Sequence, residues 1–276
     1  MPHPSSPSPL SIVALHQWFT AISQGDVARV AELFTACQFP IDTLHPLHQH
    51  SGLMEAIRVH TGAANAQSGE MHPIVPWLLE HGASPTLCCG LKPTTALHMA
   101  IRRHHWKLVI ALATHTLQCD TRDAQQQSPL HLLASQQPHA NALPASLRAA
   151  ELLIAKTTDI NTRDGDDATP LHLATIGDWP EMVHLMLLRG ADANATIASS
   201  GVTPLMIAAL ESREECARIL MHYGASLDMP MASGLTPRMV RPSFSALAPA
   251  LGQAEILALP ASLSTPEDAL KSNESY

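Results

Sequence analysis

The chain has 276 residues, 46% hydrophobic but only 4% aromatic, and sets 16 basic side chains against 24 acidic ones for a net charge of −8. Its core must therefore come from Leu, Ala, Ile, Met and Val, a mixture that suits closely packed helices better than a β-sandwich. The acidic balance speaks against a nucleic-acid surface and fits a basic or neutral protein partner.

Residues 1–10, "MPHPSSPSPL", hold several prolines and no positive charge, so a disordered start is expected and no secretory signal is read. No stretch reaches the roughly eighteen apolar residues of a membrane-spanning helix. The cysteines Cys37, Cys88, Cys89, Cys119 and Cys216 are odd in number and irregularly spaced, as for reduced thiols in a cytosol. A single domain is expected over 11–260, and a polar tail over 261–276, where Thr265 and Pro266 could start a short helix.

Within the domain, "AISQGDVARVAELF" at 21 fits a helical pair starting near His16, with Trp18 and Phe19 in an amino-terminal cap. "SGLMEAI" follows at 51, "TALHMA" at 95, "SPLHLLA" at 128, "TPLHLA" at 169, "TPLMIAA" at 203 and "TPRMV" at 236; from 95 onward the spacings are 33, 41, 34 and 33 residues. Each start is followed by an apolar run and a turn: "VPWLLEHGAS" from 75, "AAELLIAKTTDIN" from 149, "MVHLMLLRGADAN" from 182 and "CARILMHYGAS" from 216. The last start, "TPRMVRPSFSALAPALGQ", loses its regular second run, as a terminal unit does.

Motif, spacing and ending together resemble the ankyrin repeat family, over roughly residues 16 to 250 and as seven units of which the middle ones fit best. The resemblance implies an all-α solenoid of stacked helix-turn-helix units joined by hairpin loops. Thr169 is placed to cap its helix and Pro170 to fill the first helical position. His98, His131 and His172 recur in phase with the repeat, which makes each a structural pin between the capping hydroxyl and a neighbouring loop. Leu171, Leu173 and Ala174 pack against Met182, Val183, Leu185, Met186 and Leu187, and Gly190 ends the second helix in a left-handed conformation.

Two units are long. Residues 59–73 and 135–147 read as surface loops inserted at the turn between paired helices.

The resemblance places partner binding on a concave face and on the hairpin tips. Arg122, Asp123, Arg163, Asp164, Asp166 and Asp167 are read as pointing outward from two acidic tips, and Ile197, Met229 and Met231 as exposed apolar groups on the next two. Trp179, before Pro180, is read as an exposed anchor at a turn. Trp77 and Trp106 read as core. "RRHHW" at 102 is a local basic patch suited to an acidic spot on a partner, or simply a solvated run.

No GxxxxGK, GxGxxG, GxSxG, HExxH or CxxC pattern occurs, so no nucleotide loop, hydrolase elbow or zinc site is read. His45, His48 and His50 form the densest histidine group without a full ligand set. These readings give no cofactor, no metal and no catalytic residue. The expected function is a non-enzymatic protein-binding module, cytoplasmic and monomeric without its partner, touching neither nucleic acid nor membrane. The alternatives are a cytoplasmic immunity protein that occludes a bacterial toxin, a bacterial effector acting on host proteins, and a regulator sensing a ligand or metal. Twelve arginines against four lysines in an alanine-rich chain hint at a GC-rich bacterial genome.

Overall fold

The computed structural model describes residues 9–60, 71–88, 93–137 and 142–247; the expected C-terminal tail and the middles of both insertions lie outside them. Among the described residues all regular structure is helical, and extended backbone pairs only in isolated bridges, one of them between Leu44 and Ser51. Contacts divide the chain into two compact units, 1–173 and 174–276.

In the first unit the helices come in antiparallel pairs: α1 (Pro9–Gln24) with α2 (Val27–Cys37), α3 (Gly52–His60) with α4 (Ile74–Glu80), α5 (Ala96–Arg102) with α6 (Trp106–Thr114), and α7 (Pro129–Ala134) with α8 (Leu143–Ala155). The first helices also pack in sequence, α1 on α3, α3 on α5 and α5 on α7. In the second unit α11 (Pro204–Glu211) pairs with α12 (Glu214–His222) and α13 (Pro237–Val240) with α14 (Phe244–Leu247), while α10 (Pro180–Leu188) lies against α12. The helix preceding α10, α9 (Pro170–Ile176), crosses the dividing line between the units.

The repeating hydroxyl explains where the first helices start. Ser51, Thr95, Ser128, Thr203 and Thr236 each accept the backbone N–H three residues on, at 3.1–3.4 Å, satisfying a donor the helix itself leaves orphaned. Behind the cap, Leu97, Ala100 and Ile101 of α5 meet Leu108, Val109, Leu112 and Ala113 of α6, all buried. Each buried aliphatic side chain contributes about 1.5–3 kcal/mol, and a seven-residue helix such as α5 cannot persist without that packing.

Second helices end in several ways. After α4, α10 and α12, Gly82, Gly190 and Gly224 take φ values of +88°, +90° and +86°, conformations that cost a residue with a Cβ. The third unit has Thr116 at that point instead, and the Lys156 ammonium donates to the carbonyls of Ala113 at 2.6 Å, Thr114 at 3.3 Å and Thr116. A cation on these carbonyls neutralises the negative end of α6. The neighbouring Leu117 stands where two other units bury an alanine, Ala83 and Ala225, and is 96% exposed.

Three expectations shift. The first helix starts at Pro9, ahead of the start placed near His16. Residues 143–147, read as surface loop, open α8, with Ser146 and Leu147 buried; Pro144 stands in the first turn, where its missing N–H costs nothing. The last unit does keep a second helix, the four-residue α14, and Phe244 within it is buried.

Candidate protein-binding surface

The hairpin loops share one backbone plan. Two residues before the hydroxyls of Ser51, Ser128, Thr169, Thr203 and Thr236 stands a left-handed residue, Gln49, Gln126, Asp167, Gly201 and Gly234, whereas Thr95 has Pro93 there. A tight pair of backbone bonds closes the tip, for instance Asp123 N–H to Gln127 O at 2.9 Å with Gln126 N–H to Asp123 O at 3.0 Å.

That plan decides the fate of the predicted tip acids. Asp123 is 1% exposed, not outward. One of its carboxylate oxygens accepts from the backbone of Gln125 and Gln127 at 2.9 and 3.0 Å, and the other accepts from Arg102 at 2.6 Å. Asp164 holds the same place in the next loop: half-buried, it accepts from the backbone of Asp166 and Ala168 at 3.0 Å and from the Gln127 amide at 3.2 Å. Both carboxylates replace water on turn N–H groups, so they build the tips instead of facing a partner. Arg122, half-buried, donates to the carbonyls of Gln126 and Arg163. Arg163 and Asp166 are exposed; Arg163 pairs with the half-buried Asp167 at 2.9 Å.

Ile197 and Met231 occupy the position of Asp123 and Asp164 in the second unit's loops, where the same backbone closure recurs at 3.0 and 2.9 Å. An aliphatic side chain cannot cap the turn, and both stand half-buried, as does Met229. They are less exposed than their sequence suggests.

Trp179 is the clearest correction. It is 1% exposed and belongs to the core, not to an accessible turn. It sits at the N-cap of α10, after Asp178 at φ +50°. The same pairing of a left-handed residue and an N-cap recurs at His104–His105, where His105 is buried, and at Ser212–Arg213, where Arg213 is half-buried. His105 can accept from Leu108 N–H at 3.3 Å, but an indole has no acceptor, so Trp179 turns in without capping and its Nε1 meets no partner among the described residues. Trp106 is buried as expected, whereas Trp77 is half-buried, stacked on His81 at a 3.9 Å ring separation.

The phased histidines are pins. The ring nitrogen Nδ1 of His98 is 2.7 Å from the Thr95 hydroxyl, and Nε2 donates to Gln127 O at 3.1 Å. His131 does the same with Ser128 at 2.8 Å and with the carbonyls of Thr162 and Ala168 at 3.0 and 3.2 Å. His172 meets the Thr169 hydroxyl at 2.8 Å. Burial holds the pKa of His98 and His131 below the ordinary histidine value, so both rings are neutral donors. His45, His48 and His50 form a stack of imidazoles, at 4.7 and 5.9 Å, against Phe19. Among the described residues no group of three or more His, Cys, Asp or Glu side chains is placed to hold a metal ion.

What the sequence reading missed lies seven residues after the capping hydroxyls of Ser51, Thr95, Ser128, Thr169 and Thr203, at the carboxyl ends of the first helices. There the first unit carries Arg58, Arg102 and Ser135, while the second carries Ile176, 50% exposed, and Leu210, 53% exposed. The second unit also exposes Leu235 and Met239. The signal was available: a repeat that keeps one position polar and then turns it aliphatic, twice, without burying it. Beside Leu210 stand Glu211 and Glu214, both exposed, and the ion pair of Arg213 with Asp178 at 3.2 Å.

No helix among the described residues is long and apolar enough to cross a membrane. A family profile described as ankyrin repeats (3 copies) matches residues 62–164 and 139–230. A Danio rerio protein named as a palmitoyltransferase, ZDHHC13, is 30% identical over 166 residues, 59% of this chain but 24% of that protein. The B-cell lymphoma 3 protein homolog of Mus musculus is 30% identical over 140 residues, 51% of this chain and 30% of its own length. The chain thus spans under a third of either relative. Among solved structures, the ankyrin repeat domain of Bcl-3 superposes with a TM-score of 0.63 at 24% identity, covering 81% of this chain and 92% of that one.

Proposed function

Because the chain belongs to the ankyrin repeat family, we propose that it is a non-enzymatic module that binds another protein, working in the cytoplasm and as a monomer until its partner arrives. The observation that carries this reading is the pair Ile176 and Leu210, half-exposed at one register position of successive repeats. Solvated helix ends gain nothing from aliphatic groups, whereas the desolvated centre of an interface does. In the second unit these residues, with Ile197, Met229 and Met231, form the apolar part of the contact, and Glu211 and Glu214 its rim. In the first unit Arg163 and Asp166 are the tip side chains left accessible to a partner. A partner with an aliphatic centre and a basic rim suits the second unit's surface.

The net charge of −8 supports a finer form of the same reading, occlusion of a basic protein, as a cytoplasmic immunity protein does to a toxin. Affinity capture with the tagged full chain tests the module: Ile176→Ser with Leu210→Ser should cut partner recovery severely at unchanged melting temperature. Equal recovery would remove this surface from the reading.

A further inference from the structure

A second surface lies in the first unit, at the same register position but with the opposite chemistry. Arg58 grips the carboxylate of Glu55 with two bonds, Nε to Oε2 at 2.9 Å and NH2 to Oε1 at 2.6 Å. Arg102 NH2 holds Asp123 at 2.6 Å. In both pairs the acid is underneath: Glu55 and Asp123 side chains are 6% and 1% exposed, while their arginines are 48% and 46% exposed. Arg103 ties the two together, donating from NH1 to the carbonyls of Ile57 at 2.7 Å and Arg58 at 3.0 Å. Burial and the neighbouring Arg58 both lower its pKa, a sign of like charges held close. Exposed His104 and Lys107 flank them.

Solvent therefore meets guanidinium groups whose counter-charges are hidden beneath them. Each is anchored from below, so little side-chain entropy is left to lose when a ligand arrives. Among the described residues the NH1 groups of Arg58 and Arg102 make no bond. An ordinary surface ion pair would leave its carboxylate as open to water as its cation. Here burial of the acids separates the two signs by depth.

We propose that Arg58, Arg102 and Arg103 form a docking site for a carboxylate-rich peptide segment of a partner protein. Successive first helices pack roughly 10 Å apart, close to the roughly 9 Å between side chains three residues apart on one face of a polyproline II segment, so two acidic residues in that spacing reach one guanidinium each. A short acidic segment suits the site better than a nucleic acid, because a long polyanion would run on over a chain whose net charge is −8. This inference rests on the binding-module reading but on different residues from the apolar surface, so the two can fail separately.

The test uses the full chain and a fluorescein-labelled Gly-Glu-Gly-Gly-Glu-Gly peptide, followed by anisotropy at low salt. Binding is expected, with roughly tenfold loss when both glutamates become glutamine and a comparable loss on raising the salt about tenfold. Arg102→Gln should weaken the glutamate peptide several-fold while capture through Ile176 and Leu210 persists. Should that variant unfold, the salt series and the glutamine peptide decide the matter on the native chain alone. Equal binding of the glutamine peptide, no binding of either, or tighter binding of a single-stranded oligonucleotide would overturn the proposal.

Discussion

His131 Nε2 donates to the Thr162 carbonyl at 3.0 Å, joining the first helix of one repeat to the loop that leads into the next. With Nδ1 on the Ser128 hydroxyl at 2.8 Å, a single ring closes a helix cap and ties down a neighbouring loop. Replacing His131 by Leu would strand a buried hydroxyl and two carbonyls. The expected cost is about 1–3 kcal/mol, measured as a lower urea midpoint at neutral pH.

Acid should undo the same pins. Burial lowers the pKa of His45, His98, His105, His131 and His184 in the folded chain below the ordinary value of 6.5. Unfolded histidines then bind protons more readily than folded ones, so stability is full above pH 6.5 and falls as the pH drops through the lowered values. Urea midpoints measured from pH 7.5 down to about 5 should decline, and His98→Gln with His131→Gln should flatten that decline. A midpoint independent of pH over this window would count against neutral buried rings.

Trp179 should behave as core. Trp179→Ala is expected to cost about 3–5 kcal/mol of stability, visible as a large drop in melting temperature before any partner is added. A stable variant that merely binds less well would return Trp179 to the surface.

Gly165 is fixed by proximity. A Cβ there would lie 2.8 Å from the Gln125 carbonyl oxygen, the group that accepts Gly165 N–H at 3.0 Å. Gly165→Ala must push two hairpin loops apart, at an expected cost of about 1–3 kcal/mol. Amide exchange should then quicken in the loops around Gln125 and Gly165 first.

The recurring Thr-Pro-Leu-His start made the helical pairs and their caps legible, because one hydroxyl, one proline and one imidazole each have a single good use at a helix start. What the sequence reading misjudged were side chains whose direction depends on the backbone just before them. Asp123 looked like a tip charge, but the turn offers it two N–H groups and Arg102 a third donor. Trp179 looked like an exposed turn residue, but left-handed Asp178 swings it inward. Conversely, Ile176 and Leu210 sit at the tail of an apolar run that does not single them out, although Arg58, Arg102 and Ser135 at the same position of earlier repeats mark it as facing water.

The most direct measurement is a calorimetric titration of the captured partner into the wild-type chain and into the Ile176→Ser, Leu210→Ser variant. The account predicts a dissociation constant at least about tenfold weaker for the variant, with an unfolding midpoint within about 0.5 kcal/mol of wild type. Equal affinity for both proteins would contradict it.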